Sequence, residues 1–344
     1  MNTWLQFLAA NGARIDENDA SVRFDGTPPA GELPRIYVAP LADQGLIGLS
    51  GDDAASFLHN QITNDVENLP QTEARLAGYC SPKGRLLASF LMWKTGEEIL
   101  LQLPRQIQPP IQKRLQMYVL RAKAKLQDAG DRLALLGIGG AGSGEMLAAW
   151  FPILPAQAYA KLDSDHGSLI RLPDAFGAAR YQWILPAESA ANLWPEITRI
   201  AHPVGTDIWR LTEIHSGIPQ ITLPTQEQFV PQMINFELVG GVNFKKGCYP
   251  GQEIVARSQY LGKLKRRMLL ASVAAEARAG MEVFSSADPD QPCGMVVNAA
   301  PNLQGATDML VEIKIAAAED ASVHLGSAQG PALSFAALPY SLPA

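Results

Sequence analysis

Apolar and polar positions alternate in short blocks along this chain, and the blocks switch between the helical and the strand period. Trp4, Leu5 and Leu8 recur at helical spacing in the first 15 residues, which predicts an amphipathic helix. Arg35–Leu41 and Leu46–Leu49 read as short strands. Gly51-Asp52-Asp53 then opens a helix, because Ala54, Phe57, Leu58 and Ile62 follow at spacings of three or four. Its two carboxylates sit where the helix dipole favours anions. Ala74–Cys80, Arg85–Lys94 and Ile99–Leu103 predict strands, the last two joined as a hairpin across Thr95-Gly96. Pro109-Pro110 marks a helix start continued by Ile111, Leu115 and Tyr118, after which Val119–Gln127 and Arg132–Ile138 return to strand character.

The same mixture continues. Gly144–Phe151 predicts a short helix, Ser168–Leu172 and Tyr181–Leu185 strands, and Ala187–Ile200 a helix. A further helix runs from about Gly205 to Ser216 and stops at Gly217-Ile218-Pro219. Hairpins mixed with helices predict an α+β class with antiparallel sheets, not a doubly wound parallel sheet. Beyond residue 263 the texture changes to six short strands, Met268–Val273, Met281–Phe284, Gly294–Ala299, Met309–Ile315, Val323–Leu325 and Leu333–Ala336. Gly, Pro, Asp and Asn separate them, the pattern of a small antiparallel β-barrel. The chain therefore divides into a region at 1–222, a polar, glycine-rich connecting segment at 223–262, and the barrel at 263–344.

Composition narrows the class. With 344 residues, 47% of them hydrophobic and 18% charged, there is ample material for a core, so disorder is excluded as the main state. The formal charge of −6 gives no general attraction to nucleic acid, so an RNA contact needs a local basic patch. Three widely spaced cysteines, Cys80, Cys248 and Cys293, make neither a disulfide framework nor a sequence-local metal motif, and fit a reducing compartment. No apolar stretch is long enough to span a membrane, and the N-terminus lacks the basic and apolar regions of a signal peptide, so the expected location is the cytoplasm. The run Gly137 to Gly144 resembles a dinucleotide fingerprint, but it lacks a βαβ setting and a following acidic residue, and reads as a flexible strand-to-helix loop.

The chemistry concentrates in Asn243-Phe244-Lys245-Lys246-Gly247-Cys248-Tyr249-Pro250-Gly251-Gln252-Glu253-Ile254-Val255-Ala256-Arg257. Gly247 and Gly251 permit backbone conformations that other residues resist, and Pro250 fixes its own φ while pushing Tyr249 toward an extended form. The expected product is a rigid loop presenting Cys248, with Lys245, Lys246 and Arg257 favouring its thiolate; a buried, inert cysteine is the competing expectation.

This run resembles the Lys-Gly-Cys-Tyr-x-Gly-Gln-Glu signature of the YgfZ family of folate-binding proteins. That family is the iron–sulfur-cluster-assembly branch of the superfamily that contains the glycine-cleavage T-protein, an aminomethyltransferase. Further segments are similar to that superfamily: Phe57-Leu58-His59-Asn60-Gln61-Ile62-Thr63-Asn64-Asp65-Val66, Tyr79 to Arg85, Ile208-Trp209-Arg210 through Gly217-Ile218-Pro219, Phe229 to Met233, and Leu338 to Leu342. The resemblance spans about 35 to 344. It implies three mixed α/β subdomains around a central channel for tetrahydrofolate, with the β-barrel at the end. It also implies support of iron–sulfur client enzymes, including those that thiolate tRNA. Cys248 becomes the working residue, with Lys245, Lys246, Gly247, Tyr249, Gly251, Gln252, Glu253 and Arg257 as its functional loop.

The departures bear on activity. The strand that carries an aspartate in aminomethyltransferases is here Gly84-Arg85-Leu86-Leu87-Ala88-Ser89-Phe90, without a carboxylate. The acidic pterin-contacting position is His215, which can hydrogen-bond a pterin but not as a bidentate acceptor; Glu213 lies on a different helix face. Trp209 is either a stacking surface for the pterin or a core residue, and Asp65 either a ligand contact or a turn residue. Lys263, Lys265, Arg266 and Arg267 form a basic cluster that is either a solvated strand end or a contact for polyglutamate or tRNA. The five histidines show no metal spacing, no metal site is expected, and a pairing of one with Cys248 has no support in sequence. A folate-binding accessory protein is therefore expected, with a tetrahydrofolate-dependent aminomethyltransferase as the alternative.

Overall fold

The computed structural model describes residues 3–26, 31–260, 264–320 and 322–343. The chain forms two compact units: Met1–Phe57, Val66–Arg75 and Leu91–Trp209 in the first, and Leu58–Asp65, Leu76–Phe90 and Arg210–Ala344 in the second. Residues 58–65 and 76–90, which the sequence groups with the first region, thus pack with the segment that carries Cys248.

In chain order, α1 (Thr3–Ala10) buries Trp4, Leu5 and Leu8 as its spacing predicts, and β1 (Ala13–Ile15) pairs antiparallel with β2 (Val22–Phe24). Next come β3 (Tyr37–Pro40), β4 (Gln44–Ser50), α2 (Ala54–His59), β5 (Ala74–Cys80), β6 (Leu86–Thr95) and β7 (Glu98–Pro104). They are followed by α3 (Gln108–Tyr118), β8 (Lys125–Asp128), β9 (Leu133–Gly139), α4 (Ser143–Leu147), β10 (Lys161–Ser164), β11 (Gly167–Ala175), β12 (Ala178–Pro186), α5 (Ala187–Ile200), β13 (His202–Pro203) and α6 (Thr206–His215).

The first unit holds a six-stranded sheet in the order β10-β11-β12-β9-β3-β13, antiparallel except that β13 runs parallel to β3. Its apolar face, including Leu136, Ile138, Leu169 and Trp183, packs with the buried stripes of α1 and α5 in one core. A second sheet contains the neighbours β6-β7-β4-β8, and the end of β6 turns tightly into β7 with Thr95 opposite Glu98. The glycine run begins inside β9, and only Gly140–Gly142 form the connection from that strand to α4. Gly137 and Gly139 lie within β9, and a Cβ at Gly137 would stand 2.5 Å from Trp209 Cε3, so bare backbone is what lets the indole pack there.

The second unit holds the turn end of the β5–β6 hairpin, closed where Ser81 N donates to Arg85 O at 2.8 Å, and the C-terminal sheet. After α7 (Gln252–Tyr260) come β14 (Arg266–Val273), β15 (Glu282–Ser285), β16 (Asp288–Pro301), β17 (Thr307–Lys314), α8 (Ile315–Asp320), β18 (Val323–Leu325) and β19 (Leu333–Ala336). These six strands form one antiparallel sheet ordered β18-β15-β16-β17-β14-β19. It curls as a half-barrel, and a bridge between His324 and Ala332 links its two ends. Val283, Val296, Met309, Val311 and Ile313 line its core.

One strand expectation needs correction. The strand predicted at Val119–Gln127 is only Lys125–Asp128. The basic stretch before it leaves Leu120 86% exposed, so there is no apolar face to bury. The polar connecting segment also contains α7, whose thin apolar stripe, with Val255 buried, gives the sequence little periodicity to show. Among the described residues, no helix is long and apolar enough to cross a membrane.

Candidate functional site: the Cys248 loop

The loop bearing Cys248 belongs wholly to the second unit and is fastened on both sides. Upstream, the segment after α2 grips its approach. Thr63 Oγ1 donates to Gly241 O at 2.5 Å and accepts from Gly78 N at 2.7 Å. Asn64 Nδ2 donates to Gly240 O and Leu76 O, both at 2.7 Å. Asn243 N donates to Thr63 O at 2.9 Å, and the Asn243 side chain caps Lys245 N at 2.8 Å. Buried polar groups are stable only when satisfied, so Thr63 and Asn64 act as a polar latch between the two stretches of chain.

Lys246 adds a second fastening. Its Nζ donates to the carbonyls of His59 and Ile62, the latter at 2.8 Å, and lies 5.0 Å from the Tyr249 ring centroid. The ammonium expected to bias the thiol is thus committed to holding the loop. Tyr249 is buried, and desolvation, then the proximity of Cys80, pushes its phenol up from its ordinary value.

Downstream, Gly251 sits at φ +79°, and Gly84, in the β5–β6 turn, at +70°. A Cβ at Gly251 would stand 2.7 Å from both Cα and N of Gly84, so the two backbones meet directly. Gln252 then begins α7, Glu253 lies exposed in its first turn and Arg257 exposed in its last, each at the end that suits its charge. Gln232 Nε2 anchors that helix through Val255 O at 2.8 Å.

Between these clamps Lys245, Gly247 and Cys248 are exposed, while Cys80 and Cys293 are buried. Burial pushes the Cys80 thiol up to about 12 and raises that of Cys293. Cys248 is therefore the thiol presented to solvent, and the chemistry open to it is that of a nucleophile or sulfur ligand. His59, which sequence reasoning left aside, also belongs here. Its Nδ1 lies 3.2 Å from Asp65 Oδ1, and its Nε2 faces Gly247, 3.6 Å from where a Cβ would sit. A six-residue separation gives no periodic signal, and Gly247 lies far along the chain, so only the fold reveals the grouping.

Each of the three residues matched to folate has a partner within the protein. Trp209 is buried, with the Arg180 guanidinium 4.4 Å from its ring centroid and Gly137 against the ring. His215 Nε2 meets Asp308 Oδ2 at 2.7 Å, and Asp65 faces His59. On strand β6, Ser89 accepts from Ile221 N at 2.9 Å.

The basic cluster is partly neutralised. Arg266 forks onto Glu312, with Nη2 to Oε2 at 2.9 Å, and Arg267 pairs with Glu237 in a buried site; Lys263 lies outside the described residues. Among the described residues, no three His, Cys, Asp or Glu side chains gather as metal ligands.

No family model matches the chain. It is 33% identical over 247 residues to the tRNA-modifying protein YgfZ of Edwardsiella ictaluri (strain 93-146), covering 71% of this chain and 74% of that one. It is 30% identical over 243 residues to the protein of the same name from Colwellia psychrerythraea, covering 70% and 73%. Among solved structures, the glycine cleavage system aminomethyltransferase T from Bartonella henselae superposes with a TM-score of 0.78 over 98% of this chain and 97% of that one, at 15% identity. That likeness is one of fold.

Proposed function

The chain belongs to the YgfZ family of tRNA-modifying proteins, and from that membership we propose that it is an accessory factor supporting the assembly or repair of iron–sulfur clusters in client enzymes, those that thiolate tRNA included. The observation that carries this reading is the exposed Cys248 held between the Thr63–Asn64 latch, Lys246 and the Gly84–Gly251 contact. So much structure invested in fixing one accessible thiol favours a working sulfur over an inert one. A fixed loop reduces the conformational entropy lost when the thiol engages a partner. The cluster is then cargo of the client, met by one sulfur from this chain, and the cytoplasm is the proposed setting.

Reduced folate is the proposed ligand, supported by the family likeness and by the fold shared with an aminomethyltransferase. Since Trp209, His215 and Asp65 are turned to partners of their own, no step is assigned to folate. Its binding is tested by thermal shift, because a ligand bound only by the folded form raises the melting temperature. An unchanged melting temperature at saturating tetrahydrofolate would remove it from the proposal. Aminomethyl transfer is the second reading that the shared fold favours. It needs a group to handle the proton, help typically worth about 10²–10⁴-fold, and Leu86-Leu87-Ala88-Ser89-Phe90 supplies no carboxylate. Glycine-cleavage turnover comparable to a T-protein would establish that reading instead.

The deciding experiment is loss of the gene, with iron–sulfur enzyme activities and tRNA thiolation measured after rescue by wild type, Cys248→Ala or Cys248→Ser. Both variants are expected to fail at normal protein levels, since a serine hydroxyl neither ionises near neutrality nor offers sulfur. Full rescue by either would show that the loop, not its sulfur, carries the function.

A further inference from the structure

Three large apolar side chains stand exposed together where α3 ends: Met117, Tyr118 and Leu120. They lie in a basic stretch, because the chain has no Asp or Glu from Arg105 to Gln127. Lys113, Arg121 and Lys125 are exposed and Arg114 partly so, and among the described residues none of these four forms an ion pair. Lys123 pairs with Asp52 at 3.2 Å. On α3, Lys113 and Met117 stand one turn apart, as do Arg114 and Tyr118, so cations and apolar groups are neighbours. The loop that follows is fixed in place. Lys123 N donates to Asp53 Oδ2 at 2.7 Å, and Asp53 N donates to Lys123 O at 3.2 Å. Gly51, at φ +111°, lets that carbonyl approach, since a Cβ there would run into it. Helix, loop and anchors all belong to the first unit.

We propose that this surface, Lys113 to Lys125, binds the unpaired regions of a structured RNA. The cations meet phosphate oxygens, and Tyr118 stacks on an unpaired base, with Met117 and Leu120 as further apolar surface beside it. The choice of RNA rests on the proposed tRNA-thiolating clients; the site itself does not depend on Cys248. Positive charge alone suits any polyanion, and the exposed phenol among the cations is what favours a nucleic-acid strand. An anionic membrane fits less well. The apolar stripe of α3, Ile111 and Leu115, is buried in the protein, so no apolar helix face is left to lie in a bilayer. The net charge of −6 also opposes adsorption to an extended anionic sheet, whereas a strand can follow a local patch. Arg266 and Arg267, in contrast, are paired with Glu312 and Glu237 inside the fold.

The test uses the full-length protein and a fluorescein-labelled, unmodified tRNA transcript, followed by fluorescence anisotropy from about 50 to about 200 mM salt. Binding is expected, with log K falling against log salt at a slope of about −3, or about −0.7 for each phosphate neutralised. Arg121→Gln combined with Lys125→Gln is expected to weaken binding about tenfold or more and to flatten the slope by about 1.4. Tyr118→Ala is expected to weaken it about fivefold or more and to leave the slope unchanged. Arg199→Gln removes an exposed charge from α5 and is the control, expected to have little effect; circular dichroism melts establish that every variant is folded. Absence of binding at about 50 mM salt, or a double variant no weaker than the control, would overturn the proposal. Equal competition by a fully paired RNA duplex, which offers Tyr118 no free base, would overturn it too. So would cosedimentation with phosphatidylserine vesicles in place of RNA binding. None of these measurements involves Cys248, so their failure leaves the reading of that loop standing, and failure of the Cys248 rescue experiment leaves RNA binding to be read on its own.

Discussion

His215 Nε2 and Asp308 Oδ2 meet at 2.7 Å, tying α6 to β17 within the second unit although the residues are 93 apart in sequence. Burial alone would raise the Asp308 carboxyl, but hydrogen bonds from His215, Asn302 and Ser272, with the His215 charge, hold it below its ordinary value. A carboxyl depressed in the folded state stabilises the protein above its unfolded value, about 3.9, and loses that contribution as pH falls through the lower folded value. Asp308→Asn is therefore expected to cost about 1–2 kcal/mol at neutral pH. The difference from wild type should shrink in acid, below about pH 4. Urea denaturation at several pH values reads both; a pH-independent difference would show that the carboxylate's charge is not what stabilises the contact.

Gly251→Ala forces a Cβ into a left-handed position and against the Gly84 backbone, and neither partner is a flexible side-chain end that can yield. A loss of roughly 1–3 kcal/mol is expected, together with altered Cys248 accessibility. Gly247→Ala is the contrast: its Cβ would make only ordinary contact with His59, so the melting temperature should barely change. Equal destabilisation by the two substitutions would contradict this account of the loop.

Lys246→Met keeps much of the aliphatic stem over Tyr249 but removes the donor to His59 O and Ile62 O. Carbonyls left without that donor cost on the order of 1–3 kcal/mol. The expected signature is a lower melting point with faster proteolysis of the 245–251 loop. Unchanged melting and proteolysis would mean that the contact adds no net stability.

Thiol counting gives the most direct check on burial. Native protein at neutral pH is expected to react with a disulfide reagent at one cysteine of the three, Cys248, and at all three once unfolded. The Cys80 thiol, pushed up to about 12, should remain unreactive until the strand opens. Rapid native labelling of Cys80 or Cys293 would contradict the packing of β5 or β16.

Where burial imposes one strong period, the sequence announced the element. Ala187–Ile200 is a helix over that whole range, Val323–Leu325 is a strand over its own, and Pro109-Pro110 stands in the first turn of α3. Local reasoning failed where distant residues decide. Lys246 looked like a neighbour of the thiol because adjacency in sequence says nothing of where a long side chain goes; it reaches back to residues 59 and 62. Trp209 and His215 sit at matched positions, but Arg180 and Asp308, which occupy them, come from strands β12 and β17. Likewise Arg266 and Arg267 formed a basic cluster only until Glu312 and Glu237 were brought beside them.

The contact between Gly84 and Gly251 is made of peptide backbone alone. It offers no group to titrate, no sulfur to oxidise and no hydroxyl to phosphorylate. Shifts in cellular acidity or redox state can therefore change the reactivity of Cys248 without altering this part of its placement. The carboxyl end of the loop behaves as a fixed mount, insensitive to the chemical signals that the sulfur itself can register.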